Sequence, residues 1–305
     1  MSTSYGETCP GVGPGDSQPG IIARLSARFV LLLLALSLAG CSATRLAYNQ
    51  APTLAYWWID GHVDLNNGQS DALRKDIDAF FAWHRRDALP AYTRLLRTWQ
   101  SMILADTDAD QVCTQYTTLR VHIDTATAQA VAPLARLALS LGPAQLDHQR
   151  RHQAKGNRGF EKDFIEGDAA QRLDRRLTTA TDRAERLYGT LTPAQITLLR
   201  EGLQRSPWDP ARTLAERQRR QADLLQTVRD LQLAPVQAEA SVAAHIRRLG
   251  HSPTPGHADY SQALVRHGCG LLAALHNSTD AVQRAHALRT LRDYEDDLAA
   301  LTGQP

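Results

Sequence analysis

The chain has 305 residues, 43% apolar and 22% charged, with a formal net charge of +2. That length allows one large domain or two small ones, and the near-neutral balance points neither to nucleic-acid binding nor to a strongly acidic partner. Lysine occurs only at Lys75, Lys155 and Lys162, so the positive charge is nearly all arginine, a bias that a GC-rich genome also produces.

Residues 1–20 are rich in Gly, Pro and Ser and unusually long for the start of a leader, which fits a misplaced translation start. Arg24 and Arg28 then precede the apolar run from Phe29 to Leu38, closed by Ala39 and Gly40. A basic stretch, a short apolar run and small residues describe a signal peptide. The run is about half the ~20 residues that a spanning helix needs. Leu38-Ala39-Gly40-Cys41 resembles the lipobox of bacterial lipoproteins. The resemblance implies a diacylglyceryl group on Cys41, cleavage before it, and fatty acylation (palmitate or similar) of the new amino terminus. Two or more chains give stable anchoring. The chain then divides into a signal peptide (1–40), a lipidated N-terminus with an aromatic linker (41–69) and a helical envelope domain (70–305). Ser42 stands where an aspartate often marks retention, which favours the outer membrane over the inner. Cys113 and Cys269 would lie in an oxidising compartment, either as one disulfide closing a long loop or as two buried thiols.

Along the mature chain, Leu54-Ala-Tyr-Trp57-Trp58-Ile59 packs three adjacent aromatics near the anchor. Such a cluster is more often core, with a membrane interface as the other reading. Helical spacing follows almost everywhere. Leu73, Ile77, Phe80, Phe81 and His84 form one stripe, with Ser70 and Asp71 as a cap. Pro90 starts a helix carrying Tyr92, Leu95, Leu96 and Trp99. Thr107-Asp108 opens another with Val112, Tyr116, Leu119 and Ile123, which Pro133 kinks or ends. Residues 151–168, charged and punctuated by glycine, read as a mobile connection, and Ser252-Pro-Thr-Pro-Gly256 as a second break. Later stripes run through Leu173–Leu187, Leu214–Leu231, Tyr260–Leu275 and Val282–Leu301. No run of alternating β-branched residues stands out. The fold class is all-α, an elongated or bundled array of about eight or nine helices.

A repeat is visible at an offset of 50. Arg136-Leu137-x3-Leu141-Gly-Pro143-Ala144-Gln145 matches Arg186-Leu187-x3-Leu191-Thr-Pro193-Ala194-Gln195, with Leu233-Ala-Pro235-Val-Gln237 as a looser third copy. Each places Pro in the first turn of a helix, either as recurrent helix-start chemistry or as a repeated helix-turn-helix unit. Leu191-Thr192-x-x-Gln195 also resembles the Leu-Thr-x-x-Gln motif of small periplasmic stress chaperones, helical cradles for unfolded clients. A denser resemblance runs from Cys41-Ser through Tyr48-Asn49, Pro52-x-Leu54, Trp57-Trp58-x-Asp60, Val63-x-Leu65, Gln69 and Trp83-His84-Arg85 to Leu89-Pro90-x-Tyr92-x3-Leu96. These residues are similar to an uncharacterised family of proteobacterial lipoproteins. The resemblance implies a lipidated helical protein and supplies no catalytic residues.

Trp83, His84 and Arg85 form the most site-like cluster, where arginines could lower the imidazole pKa or hold an anion. A structural histidine explains the same pattern. His148-x3-His152 has metal-compatible spacing, but its Arg and Gln neighbours read as solvated, so no metal and no cofactor is expected. There is no phosphate loop, nucleophile elbow or Cys-x-x-Cys. The expectation is a non-enzymatic envelope lipoprotein, held at the membrane by Cys41. It would present a surface that includes Trp57, Trp58, Trp83, His84 and Arg85 to an envelope protein or an unfolded client. The alternative is an envelope enzyme acting on cell-wall or lipid substrates around His84 and Arg85.

Overall fold

The computed structural model describes residues 40–303, and side chains from Thr44 onward. The signal-peptide segment and the Cys41 side chain lie outside the described residues. All regular structure among them is helical, as the 3.6-residue spacing predicts. In chain order the helices are α1 (Gly40–Val63), α2 (Asn67–Trp83), α3 (Leu89–Met102), α4 (Ala109–Gln129), α5 (Val131–Ser140), α6 (Pro143–Phe164), α7 (Ala169–Tyr188), α8 (Pro193–Arg205), α9 (Pro210–Leu233), α10 (Ala238–Gly250), α11 (His257–Asn277) and α12 (Ala281–Thr302). From Thr44 onward they form one compact unit.

There are more helices than the eight or nine expected. The stretch read as a linker, 41–69, holds α1. The stretch read as a mobile connection is largely the second half of α6, because glycine costs an exposed helix only about 1 kcal/mol and does not break it. The helix opened at Asp108 does end just ahead of Pro133, at Gln129, and the proline belongs to the next one. It sits in the first turn of α5, where its missing N–H is one of the unpaired donors anyway. The expected cap at Ser70 lies one turn too late: Asn66 caps α2, reciprocally with Gln69. The helix before Pro90 does not stop either. It passes into α3 through a π-turn, His84–Ala88, in which the Leu89 N–H donates to the His84 carbonyl. Widening the helix by one residue makes room for a proline that has no N–H to give.

The repeat resolves into a structural joint. In a capping box the glutamine at the third helical position folds back onto the cap residue. Here two such glutamines also bond each other. Gln69 Nε2 donates to Gln145 Oε1 at 3.1 Å, and Gln145 Nε2 returns the bond to Gln69 Oε1 at 2.8 Å. Each amide also donates to the carbonyl two residues before its partner's cap, Ser140 and Asp64. Gln195 and Gln283 do the same at 2.8 and 2.9 Å, with Ser278 and Thr190 as the carbonyls. The first joint ties the hairpin α1–α2 to α5–α6, and the second ties α7–α8 to α11–α12. The Leu191-Thr192-x-x-Gln195 motif is thus spent on folding: Leu191 is buried, Thr192 caps and Gln195 is only 2% exposed. The looser third copy is not a joint. Pro235–Gln237 is a single 3-10 turn with no side-chain cap, and Val236 is fully exposed.

Each half of the chain lends its middle hairpin to the other half's joint. In the second half, α3 packs on α12 and α4 on α11. In the first, α9 packs on α6 and α10 on α5. Two main apolar clusters result. One gathers Val63, Ala135, Leu146, Val228, Leu231 and Val242 from α1, α5, α6, α9 and α10. The other gathers Leu96, Leu177, Tyr188, Leu199, Leu275 and Leu291 from α3, α7, α8, α11 and α12. Successive helix pairs alternate between the two. Gly202 permits one close crossing: a Cβ there would stand 2.3 Å from the Leu271 side chain, and its carbonyl accepts from, or faces, His267 Nε2 at 2.8 Å.

Candidate functional site

Helix α1 turns one aromatic inward and two outward. Tyr56 is buried on Leu73 and Ile77, with the Arg74 guanidinium 3.5 Å from its ring centre and its hydroxyl donating to Ser70 Oγ. At 100° per residue, three consecutive positions span about 200° of the helix, so all three cannot face a core. Trp57 and Trp58 are 59% and 66% exposed, joined by Leu46 and Leu54. The expectation that all three rings are core is therefore corrected for both tryptophans. From Leu46 to Ile59 the sequence carries no charged residue, so this exposed face is apolar or neutral. At its far end the Trp58 ring lies 4.2 Å from His62, and His62 lies 4.1 Å from His152 on α6. His148 turns to the Gly61 carbonyl instead. Burial, then the neighbouring His62, His148 and Lys155, hold the His152 pKa below its usual value. Among the described residues no group of three or more His, Cys, Asp or Glu is placed to hold a metal ion.

The π-turn aims His84 into a cage of rings. Its Nδ1 lies 2.8 Å from the Tyr48 hydroxyl, and Phe80, Trp83 and Tyr92 stand 5.4–6.1 Å away, centre to centre. Burial holds the His84 pKa down. It also pushes the Tyr48 hydroxyl up, against the pull of Arg85. Arg85 donates to Asn49 Oδ1 at 3.0 Å and lies 5.5 Å from the Tyr48 ring. The carboxylate of Asp87 is turned to Arg86 at 2.7 Å. Trp83, His84 and Arg85 thus come together with Tyr48 and Asn49, where the α2–α3 bend grips α1. Trp57 and Trp58 do not join them: nine residues beyond Tyr48 is about 13 Å along the axis.

Cys113 on α4 and Cys269 on α11 are joined by a disulfide, with Cα atoms 5.5 Å apart. None of the residues of α4 is buried. Besides the disulfide, α4 is held by Trp99 Nε1 donating to Gln115 Oε1 and by Asn277 bonding both backbone groups of Thr107. Beneath it lies an apolar cavity of about 450 Å³, open on one side and walled by α3, α4, α11, the end of α7 and the middle of α12. The stripe Val112, Tyr116, Leu119 faces this space rather than a packed neighbour, and Tyr116 and Leu272 are both over 40% exposed at its margin. Sequence reasoning missed the cavity. The signal was Gly268, beside Cys269 on α11, which strips bulk from the wall opposite an otherwise ordinary amphipathic helix. Among the described residues no helix is long and apolar enough to cross a membrane.

No curated protein and no solved structure matches the chain. The stretch from residue 61, near the end of α1, to residue 235, in the 3-10 turn, matches a family profile and covers more than half of the sequence. It includes the first glutamine joint and Gln195 of the second. The chain belongs to the family of unknown function DUF6279.

Proposed function

We propose that this protein is a lipid-anchored, non-enzymatic module of the bacterial envelope. In this reading the α1 face lies against the membrane that holds Cys41, and the helical body is presented to envelope partners. The observation that carries the reading is the exposed pair Trp57 and Trp58, on a face without charge from Leu46 to Ile59. Tryptophan favours the membrane interface, where its ring is half immersed and its N–H stays wet. An uncharged face avoids the cost of burying ions there. Cys41 lies in the same helix, so the lipobox resemblance and the tryptophans point one helix at one surface. The half-buried His84, ringed by aromatics, supports a structural role for Trp83, His84 and Arg85.

Two measurements test this. Mass spectrometry of membrane-extracted protein should find a mature N-terminus at Cys41 carrying acyl chains, absent from Cys41→Ala. An unmodified chain starting elsewhere would remove the anchor. Vesicle co-sedimentation of Cys41→Ala should then show residual binding that falls about tenfold in Trp57→Ser/Trp58→Ser. Equal binding by both would leave the α1 face without its membrane role.

A further inference from the structure

We propose that the cavity beneath α4 is a binding site for one long hydrocarbon chain, the acyl tail of a fatty acid or phospholipid. Size comes first. An apolar cavity of about 150 Å³ stays dry and accepts a six-carbon ring. At the same packing, the 450 Å³ here has room for about eighteen carbons. Along α11 the wall runs from Val265 to His276, about 16 Å at 1.5 Å per residue, a span along which an extended chain can lie.

The lining chemistry separates a lipid tail from a peptide. A bound peptide brings backbone N–H and C=O groups that need partners out of water, and the wall has few to offer. Its polar atoms are largely spent on the protein. The Tyr188 hydroxyl meets His276 Nδ1 at 3.1 Å, His276 Nε2 meets the Ala105 carbonyl, and Trp99 is bonded to Gln115. Burial pushes the Tyr188 hydroxyl pKa up to about 12, so that group stays neutral. No charged side chain lines the cavity, and a charged head must therefore remain outside. A polar recess adjoins at the α3–α4 turn, sharing Thr107 and Gln115 and reaching Asp106, which pairs with Arg284. Asp106 would repel an anionic head, so the head stays in water at the open margin of the cavity, by Tyr116 and Leu272.

Gly268 provides the test. It lines the cavity, it is exposed, and a Cβ added to it would meet nothing within 4 Å. Gly268→Trp and the milder Gly268→Leu therefore plug the space while improving helix propensity. Gly159, on exposed α6 with equal room, is the control as Gly159→Trp. Purified, delipidated full chain is titrated with a fluorescent fatty acid, then competed with fatty acids of increasing length, a lysophospholipid, and an apolar peptide. The expected result is affinity rising about fourfold per methylene up to roughly the length the cavity holds. Gly268→Trp or Gly268→Leu should bind at least tenfold more weakly at an undiminished Tm, and Gly159→Trp as wild type. Competition by the free acid or by the lysophospholipid identifies the source of the tail. A flat dependence on chain length, wild-type binding by the plugged variants, or displacement by the peptide as effective as by the acid would overturn the proposal. Trp57 and Trp58 play no part in this readout, so it stands or falls apart from the membrane face.

Discussion

Helices α4 and α10 occupy corresponding places, each the second member of a hairpin lent to the other half's joint, yet they are held in opposite ways. α10 buries Ala238, Val242 and His245 and is fastened by charge. His245 Nδ1 lies 2.7 Å from Asp223 Oδ2, and Arg248 donates to the same carboxylate. Just beyond its end, Ser252 and Thr254 donate to Glu216, which also takes Arg219 and Arg220. α4 buries nothing and is fastened by a covalent bond. One slot of the plan is filled and the other is propped open, which shows that a cavity can be kept in a repeated scaffold by replacing packing with a staple.

If that contrast is right, reductant and acid should loosen different helices. Reducing the disulfide, or making Cys113→Ala/Cys269→Ala, frees a loop of 156 residues and should cost about 4 kcal/mol. Hydrogen exchange should rise first in α4 and leave α10 protected. Glu216→Gln breaks a buried ion cluster and should cost about 3 kcal/mol, with the opposite exchange pattern. The pH dependence has a definite sign. Burial raises the Glu216 pKa, but Arg219, Arg220, Ser252 and Thr254 outweigh it and hold it down to about 2, from 4.5. Its contribution is complete above pH 4.5 and is lost as pH falls toward 2. His245 is pushed below its usual 6.5 by burial, despite Asp223, so acid begins to penalise the fold below about 6.5. Acid unfolding that starts in α4 would break the contrast.

Smaller effects sharpen it at the joints. Gln195 and Gln283 are 2% and 6% exposed, whereas Gln145 is only half-buried. Water can replace what Gln145 loses, so Gln195→Leu should cost about 2–3 kcal/mol in urea unfolding and Gln145→Leu about 1. The smallest effect is a gain. Gly142 caps α6 without a side chain at φ −86°, a conformation any residue adopts. Gly142→Thr copies the second joint and should add a few tenths of a kcal/mol.

The all-α class and most helices could be read from apolar spacing, because each helix buries a stripe. The repeat was legible at Gln145 and Gln195 because both follow Pro-Ala. Their partners were not: Gln69 follows Asn66-Asn-Gly and Gln283 follows Asp280-Ala-Val, sharing only the chemistry of a cap three residues ahead. α4 misled for a related reason. A stripe facing a cavity and one facing a wall have the same period, and spacing reports which residues share a face, not what fills the space before it. Trp57 and Trp58 were legible as a pair of alternatives. The inward turn of Tyr56 removes the core reading for both.

The exchange of middle hairpins also orders events in time. α3 leaves its own neighbours to meet α12, as when Arg97 reaches Glu295, 198 residues away. A chain emerging N-terminus first would expose Trp99, Leu96 and the α4 stripe long before α11 and α12 arrive to cover them. Closing so large a loop is slow, and Cys113 must wait unpaired until Cys269 emerges. The early hairpin is therefore where a newly made chain would most need protection, and where a truncated one would fail.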